Sequence, residues 1–134
     1  MTTRQMLETL QASLGARLPG WTVYPYPVPT AAHRQATLAV LQATATPFRL
    51  AGPGVQGSVL AVLTVSTTDG AYYELMDALD AAILAVYDAH PLLLASGVEL
   101  MEPGVPEVSV RVHGEETGAS YWRLDFSIPY RRKL

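Results

Sequence analysis

Residues 52–68 read GPGVQGSVLAVLTVSTT. The first six letters fit G-x-G-x-x-G, the fingerprint of a dinucleotide-binding turn. Taken at face value, they imply a parallel, doubly wound sheet. Such a turn must follow a strand and open a helix, whose free N–H groups hold the pyrophosphate. Here the glycines lead into SVLAVLTVS. That run is β-branched and nearly apolar on both faces, as in a central strand. Pro53 removes an N–H that a phosphate cradle would use. Asp69, the first acid downstream, comes too soon to serve a ribose. The stretch PFRLAGPGVQG, residues 47–57, therefore reads as a Pro/Gly loop between two strands. The loop is expected to be flexible in the free protein.

Working outward, ATLAVLQATAT (36–46) mixes helix-favouring Ala and Leu with Thr37, Val40, Thr44 and Thr46, which favour strand. It is read as the strand before the loop. Downstream, Tyr72, Leu75, Met76, Leu79, Ile83, Val86, Tyr87 and His90 recur at helical spacing, which predicts a helix over 70–90. Asp69 is its expected N-cap, and Pro91 and Gly97 its expected stop. Met6, Leu7, Leu10 and Leu14 predict a second helix over 3–17, capped by Thr2 or Thr3 and stopped at Pro19-Gly20. This segment lacks the apolar h-region of a secretory signal. WTVYPYPVP (21–29) alternates proline, which allows only a short edge strand over 21–24.

The last third reads as a hairpin. Val108, Val110 and Val112 alternate with Ser109, Arg111 and His113. Trp122, Leu124, Phe126 and Ile128 alternate with Tyr121, Arg123, Asp125 and Ser127. Paired residues share a face, so their numbers must sum to an even value. Leaving 114–118 unpaired sets Val110 opposite Trp122 and Val108 opposite Leu124. YRRKL at the C-terminus reads as a solubilising tail or a docking contact.

The whole is an α/β (α+β) fold in one domain, 1–134: a mainly antiparallel or mixed sheet of about four to six strands with two principal helices packed on it. The chain is 49% hydrophobic, only 16% charged, and has no cysteine. Disulfides, thiolate metal sites and a cysteine nucleophile are thereby excluded. So little charge favours an oligomer. No uninterrupted apolar run approaches membrane-span length. Net charge is −3. Residues 1–68 carry four Arg and one Glu (+3), residues 69–116 one Arg and ten acids (−9), and residues 117–134 four cations and one acid (+3). An acidic middle between basic ends suits complementary subunit patches. No basic stripe with interleaved aromatics points to nucleic acid.

Catalytic patterns are not found. His33, His90 and His113 lack ligand spacing. No serine stands in G-x-S-x-G. Asp77 with Asp80, and Glu115 with Glu116, are paired carboxylates without an apolar pocket to raise a pKa. No enzyme, cofactor or metal is expected.

The order of elements resembles the tail terminator (tail completion or minor tail) proteins of long-tailed bacteriophages. The parallels are the N-terminal helix, WTVYPYPVP, the two strands in TLAVLQATATPFRLAGPGVQGSVLAVLTVSTTDG, the LDAAILAVYD helix and the hairpin EVSVRVHGEETGASYWRLDFSI. The resemblance implies a structural virion protein without catalysis. It would form a ring, typically a hexamer, that caps the tail tube, stops its growth and faces the head. Its partners would be itself, the tube protein and head–tail connector proteins. Its place would be the virion tail, assembled in the bacterial host cytoplasm. Interface candidates are Arg49, Gly52, Gly54 and Gly57 on the loop, Glu74, Asp77 and Asp80 on the acidic helix, Glu115 and Glu116 at the hairpin tip, and Arg131, Arg132 and Lys133. The loop is expected to become ordered, if anywhere, at a subunit or tube contact. Two alternatives have other signatures. Another connector or tube component would build rings or open stacks. A small ligand-binding or enzymatic α+β domain would gain thermal stability with its ligand.

Overall fold

The computed structural model describes residues 1–48, 52–101, 107–113 and 119–134. Helix α1 spans Thr3–Arg17. Its N-terminus is closed by a capping box, in which Gln5 N donates to Thr2 Oγ1 at 3.1 Å and Thr2 N donates to Gln5 Oε1 at 2.8 Å. Met6, Leu10, Leu14 and Leu18 are buried, so the stripe expected from sequence faces the core. The chain turns at Gly20, whose φ of 82° favours glycine.

Strand β1 (Thr22–Tyr24) is the expected edge strand, pairing parallel to the start of β2 (Gln35–Phe48). β2 runs antiparallel to β3 (Gly52–Ser66), and β3 antiparallel to β6 (Ala119–Lys133). On its other side, β6 pairs with β4 (Val98–Leu100) and β5 (Glu107–His113). The result is a six-stranded mixed sheet in the order β1-β2-β3-β6-β4, with β5 beside β4 on β6. The hairpin register is the expected one, with Val110 opposite Trp122 and Val108 opposite Leu124.

Both helices pack on one face of the sheet. That face carries Ala36 and Leu38 of β2, Val59, Ala61, Leu63 and Val65 of β3, and Leu124, Phe126, Ile128 and Tyr130 of β6, all buried. Ladder pairs such as Leu63 with Leu124 and Val59 with Ile128 keep these residues together. The opposite face carries Thr37, Val62, Ser127 and the ion pair of Arg123 with Asp125.

Five expectations about this frame are corrected. GPGVQG is not a loop: residues 52–57 lie in β3, between β2 and β6. Only residues 49–51 separate the two strands, and they lie outside the described residues. YRRKL is not a tail either, since Tyr130 to Lys133 sit in the interior strand β6, paired on both sides. Local glycine and charge content lost to strand pairing in both cases.

Helix α2 spans Ala71–Ala95 and passes through Pro91. Leu93 beyond the proline is fully buried, and Gly97 (φ 86°) closes the turn into β4. These tertiary anchors outweigh the lost hydrogen bond at an exposed position. The N-cap is Gly70 in the left-handed region, with no side-chain cap, rather than Asp69.

The buried stripe of α2 is Ala71, Leu75, Ala78, Ala82, Ala85, Val86, Ala89 and Leu93. It is rotated from the expected one, because small residues let the helix lie close to α1 and the sheet. Tyr72 and Tyr87 are exposed, although Tyr72 stacks edge-on against Trp122 at 5.2 Å. The helix is also long and apolar enough, by length and composition, to cross a membrane. The expected stop at Pro91 and the interspersed acids hid the length of this element in the sequence. Its alanine stripe is packed in the core, as in a core helix of a globular domain.

Candidate interaction surface

The candidate residues fall in three places. Gly54 and Gly57 lie along β3, and Gly52 opens it. Gly57 has a specific task. β2 carries a bulge between Val40 and Gln42, which drives the Gln42 carbonyl towards β3. A Cβ on Gly57 would collide with that oxygen and stand 2.9 Å from its carbon. The last glycine of the fingerprint thus accommodates a backbone rather than a phosphate.

Glu74, Asp77 and Asp80 share α2 but not one role. Glu74 accepts two hydrogen bonds from Arg34, at 2.8 and 3.2 Å. These bonds hold its carboxyl below its usual range, against the opposing effect of desolvation. Asp77 and Asp80 are exposed. Arg131 pairs with Glu99 at 2.6 Å. Arg132 donates to Thr3 Oγ1 at 2.8 Å and to the Met1 carbonyl at 3.3 Å, fastening the N-terminus. Lys133 ends β6 opposite Gly54. Much of the segregated charge is therefore satisfied within one chain. Arg49, Glu115 and Glu116 lie outside the described residues.

One grouping was invisible in the sequence. Ser66 Oγ lies 3.0 Å from His33 Nδ1, and His33 Nε2 lies 3.9 Å from Glu74. Serine, histidine and a carboxylate in that order suggest a hydrolytic triad. The geometry favours a structural clasp instead. The backbone N–H of Ser66 donates to the same Nδ1 at 3.0 Å. Glu74 is held by Arg34, and 3.9 Å exceeds hydrogen-bond reach. The clasp ties the segment before β2 to the end of β3 and the start of α2. It also holds Arg34 at φ 54°. His33 lies 33 residues before Ser66, so spacing gave no signal. His90, expected at a helix end, sits inside α2 with Nε2 buried and without a partner among the described residues.

Two surfaces remain open. On α2, Leu84, Tyr87, Leu92 and Leu94 are exposed, each about half or more. On the sheet, β2 beyond Thr37 has no strand on its outer side among the described residues. Leu41 to Ala45 are all exposed there. Both are surfaces that another chain can cover.

No family model matches the chain, and no curated protein matches it. Among solved structures, it is similar to a chain in the virion of a native gene transfer agent (GTA) particle. The TM-score is 0.52 at 20% sequence identity, over 98% of this chain and 92% of that one. At that identity the likeness establishes a shared fold.

Proposed function

We propose that this chain is a structural protein of a virion that forms a ring on the end of a tail tube, ends the growth of the tail and presents the surface on which the head is joined. The observation that carries the reading is the near end-to-end likeness to a chain of a GTA virion. The order of elements that resembles phage tail terminators points the same way. So do the exposed α2 side chains and the open β2 edge, which suit assembly rather than turnover. Its partners on this reading are further copies of itself, the tail tube protein and head–tail connector proteins. It acts without catalysis or cofactor, in the virion tail, after assembly in the bacterial host cytoplasm.

The test is a mass measurement with negative-stain microscopy, with and without assembled tail tubes. A closed ring seated on tube ends is expected. Open stacks would favour a tube component, and a protein that stays monomeric beside tubes would overturn the reading.

A further inference from the structure

We propose that copies of this chain join edge to edge, the outer side of β2 in one copy lying against the outer side of β5 in the next. This rests on the ring reading above and names the contact that would build the ring.

The two edges are the free sides of one sheet. Beyond Thr37, β2 pairs with β3 alone, and β5 pairs with β6 alone, among the described residues. An unpaired strand presents a row of N–H and C=O groups ready to pair. Such edges are usually blunted with charge, but no charged residue occurs from Gln35 to Phe48. Only the bulge at Leu41 and Pro47 interrupt the edge.

Strand direction selects a second copy as occupant. β2, β3, β6 and β5 alternate in direction. A second copy in the same orientation therefore lays its β2 antiparallel to β5 of the first. Each copy then uses two different edges, the heterologous contact that closes into rings. Pairing β2 with β2 would stop at a dimer.

The register supplies a geometric check. Glu107 lies opposite Asp125, Asp125 opposite Val62, and Val62 opposite Thr37. β5 is thus level with the part of β2 that β1 already covers. The next copy must slide along the strands to reach the free edge. An even displacement keeps each face on its own side, and eight residues is the smallest one that carries all of β5, Glu107 to His113, past the β1-covered stretch. With about 3.3 Å per residue and four strands about 4.8 Å apart, that displacement tilts the strands by about 54°, steeper than the roughly 35–45° typical of closed barrels. The tilt does not depend on the number of copies.

The chain has no cysteine, so introduced thiols are the only ones present. A displacement of eight sets His113 beside Ala39. The variant Ala39→Cys/His113→Cys is oxidised in the assembled state and run on denaturing gels. It is expected to give a ladder of covalent multimers, whereas each single-cysteine variant stops at dimers. Hydrogen exchange on the unmodified chain guards against variants that misfold. Amides of residues 38–45 should exchange at least tenfold more slowly in the assembly than in dilute protein. An assembly with neither multimers nor added protection overturns the edge pairing and leaves the ring standing. No assembly at all, alone or on tail tubes, overturns the ring reading and this inference with it.

Discussion

Gly57 of β3 faces the carbonyl of Gln42 across the ladder so closely that no side chain fits at position 57. The bulge at Leu41 creates this approach and leaves Leu41 itself 60% exposed. One glycine thus allows the bend in the strand whose outer edge is open.

Gly57→Ala should be strongly destabilising, by about 2–4 kcal/mol, because the strand or its partner has to move. Gly15, inside α1, has nothing within 4 Å of its would-be Cβ. Gly15→Ala should stabilise the protein by about 0.5–1 kcal/mol through helix propensity. Thermal unfolding of the two variants should give shifts of opposite sign. A neutral Gly57→Ala would show that the bulge relaxes freely.

Thr2 closes the first turn of α1 through its reciprocal bonds with Gln5. Thr2→Ala should cost about 1 kcal/mol. Thr2→Ser, which keeps the hydroxyl, should restore nearly all of it. Urea midpoints measure both. Equal midpoints for the two variants would mean that Arg132, by fastening Thr3, holds the turn without the cap.

How far the sequence could be read follows from the range of the deciding interactions. The α1 stripe and the β5–β6 register rest on local periodicity and on parity, and both were legible. GPGVQG was legible as not a phosphate turn, because its sequel is a strand. Its own strand character was not legible, because it comes from pairing with residues 43–48 on one side and with residues 130–133, far along the chain, on the other. The α2 stripe was misplaced because hydrophobicity alone ranks Tyr87 above Ala85, whereas close packing prefers alanine. The His33–Ser66–Glu74 clasp joins three elements, so neither spacing nor composition could announce it.

Pro91 lies on the exposed side of α2, and the helix continues past it to Ala95. A proline there has no N–H to donate to Tyr87, four residues back, and crowds its carbonyl. Pro91→Ala should restore the bond and stabilise the protein by up to about 3 kcal/mol. Higher Tm with unchanged oligomeric mass is the expected result. A lower Tm would mean that the ring packs against the next element and that the turn into β4 depends on it.

Two exposed ion pairs make stability depend on pH in acid. Glu74 is held below its usual range chiefly by hydrogen bonds from Arg34, and Asp88 likewise by those from Arg17. A depressed folded-state pKa means that the unfolded chain binds protons more readily. The stability these groups contribute is therefore present above the unfolded pKa, near 4, and is lost as pH falls through the lower folded value. Arg34→Gln and Arg17→Gln should each lower Tm at pH 7. The gap from the unmodified protein should close as the pH falls below about 4. Added salt should narrow the pH 7 gap as well, because the charges are exposed to screening ions. Melting curves across pH and salt read both effects. A gap that survives full protonation would assign the role of Arg34 to its φ of 54° and its place in the His33 clasp rather than to its charge.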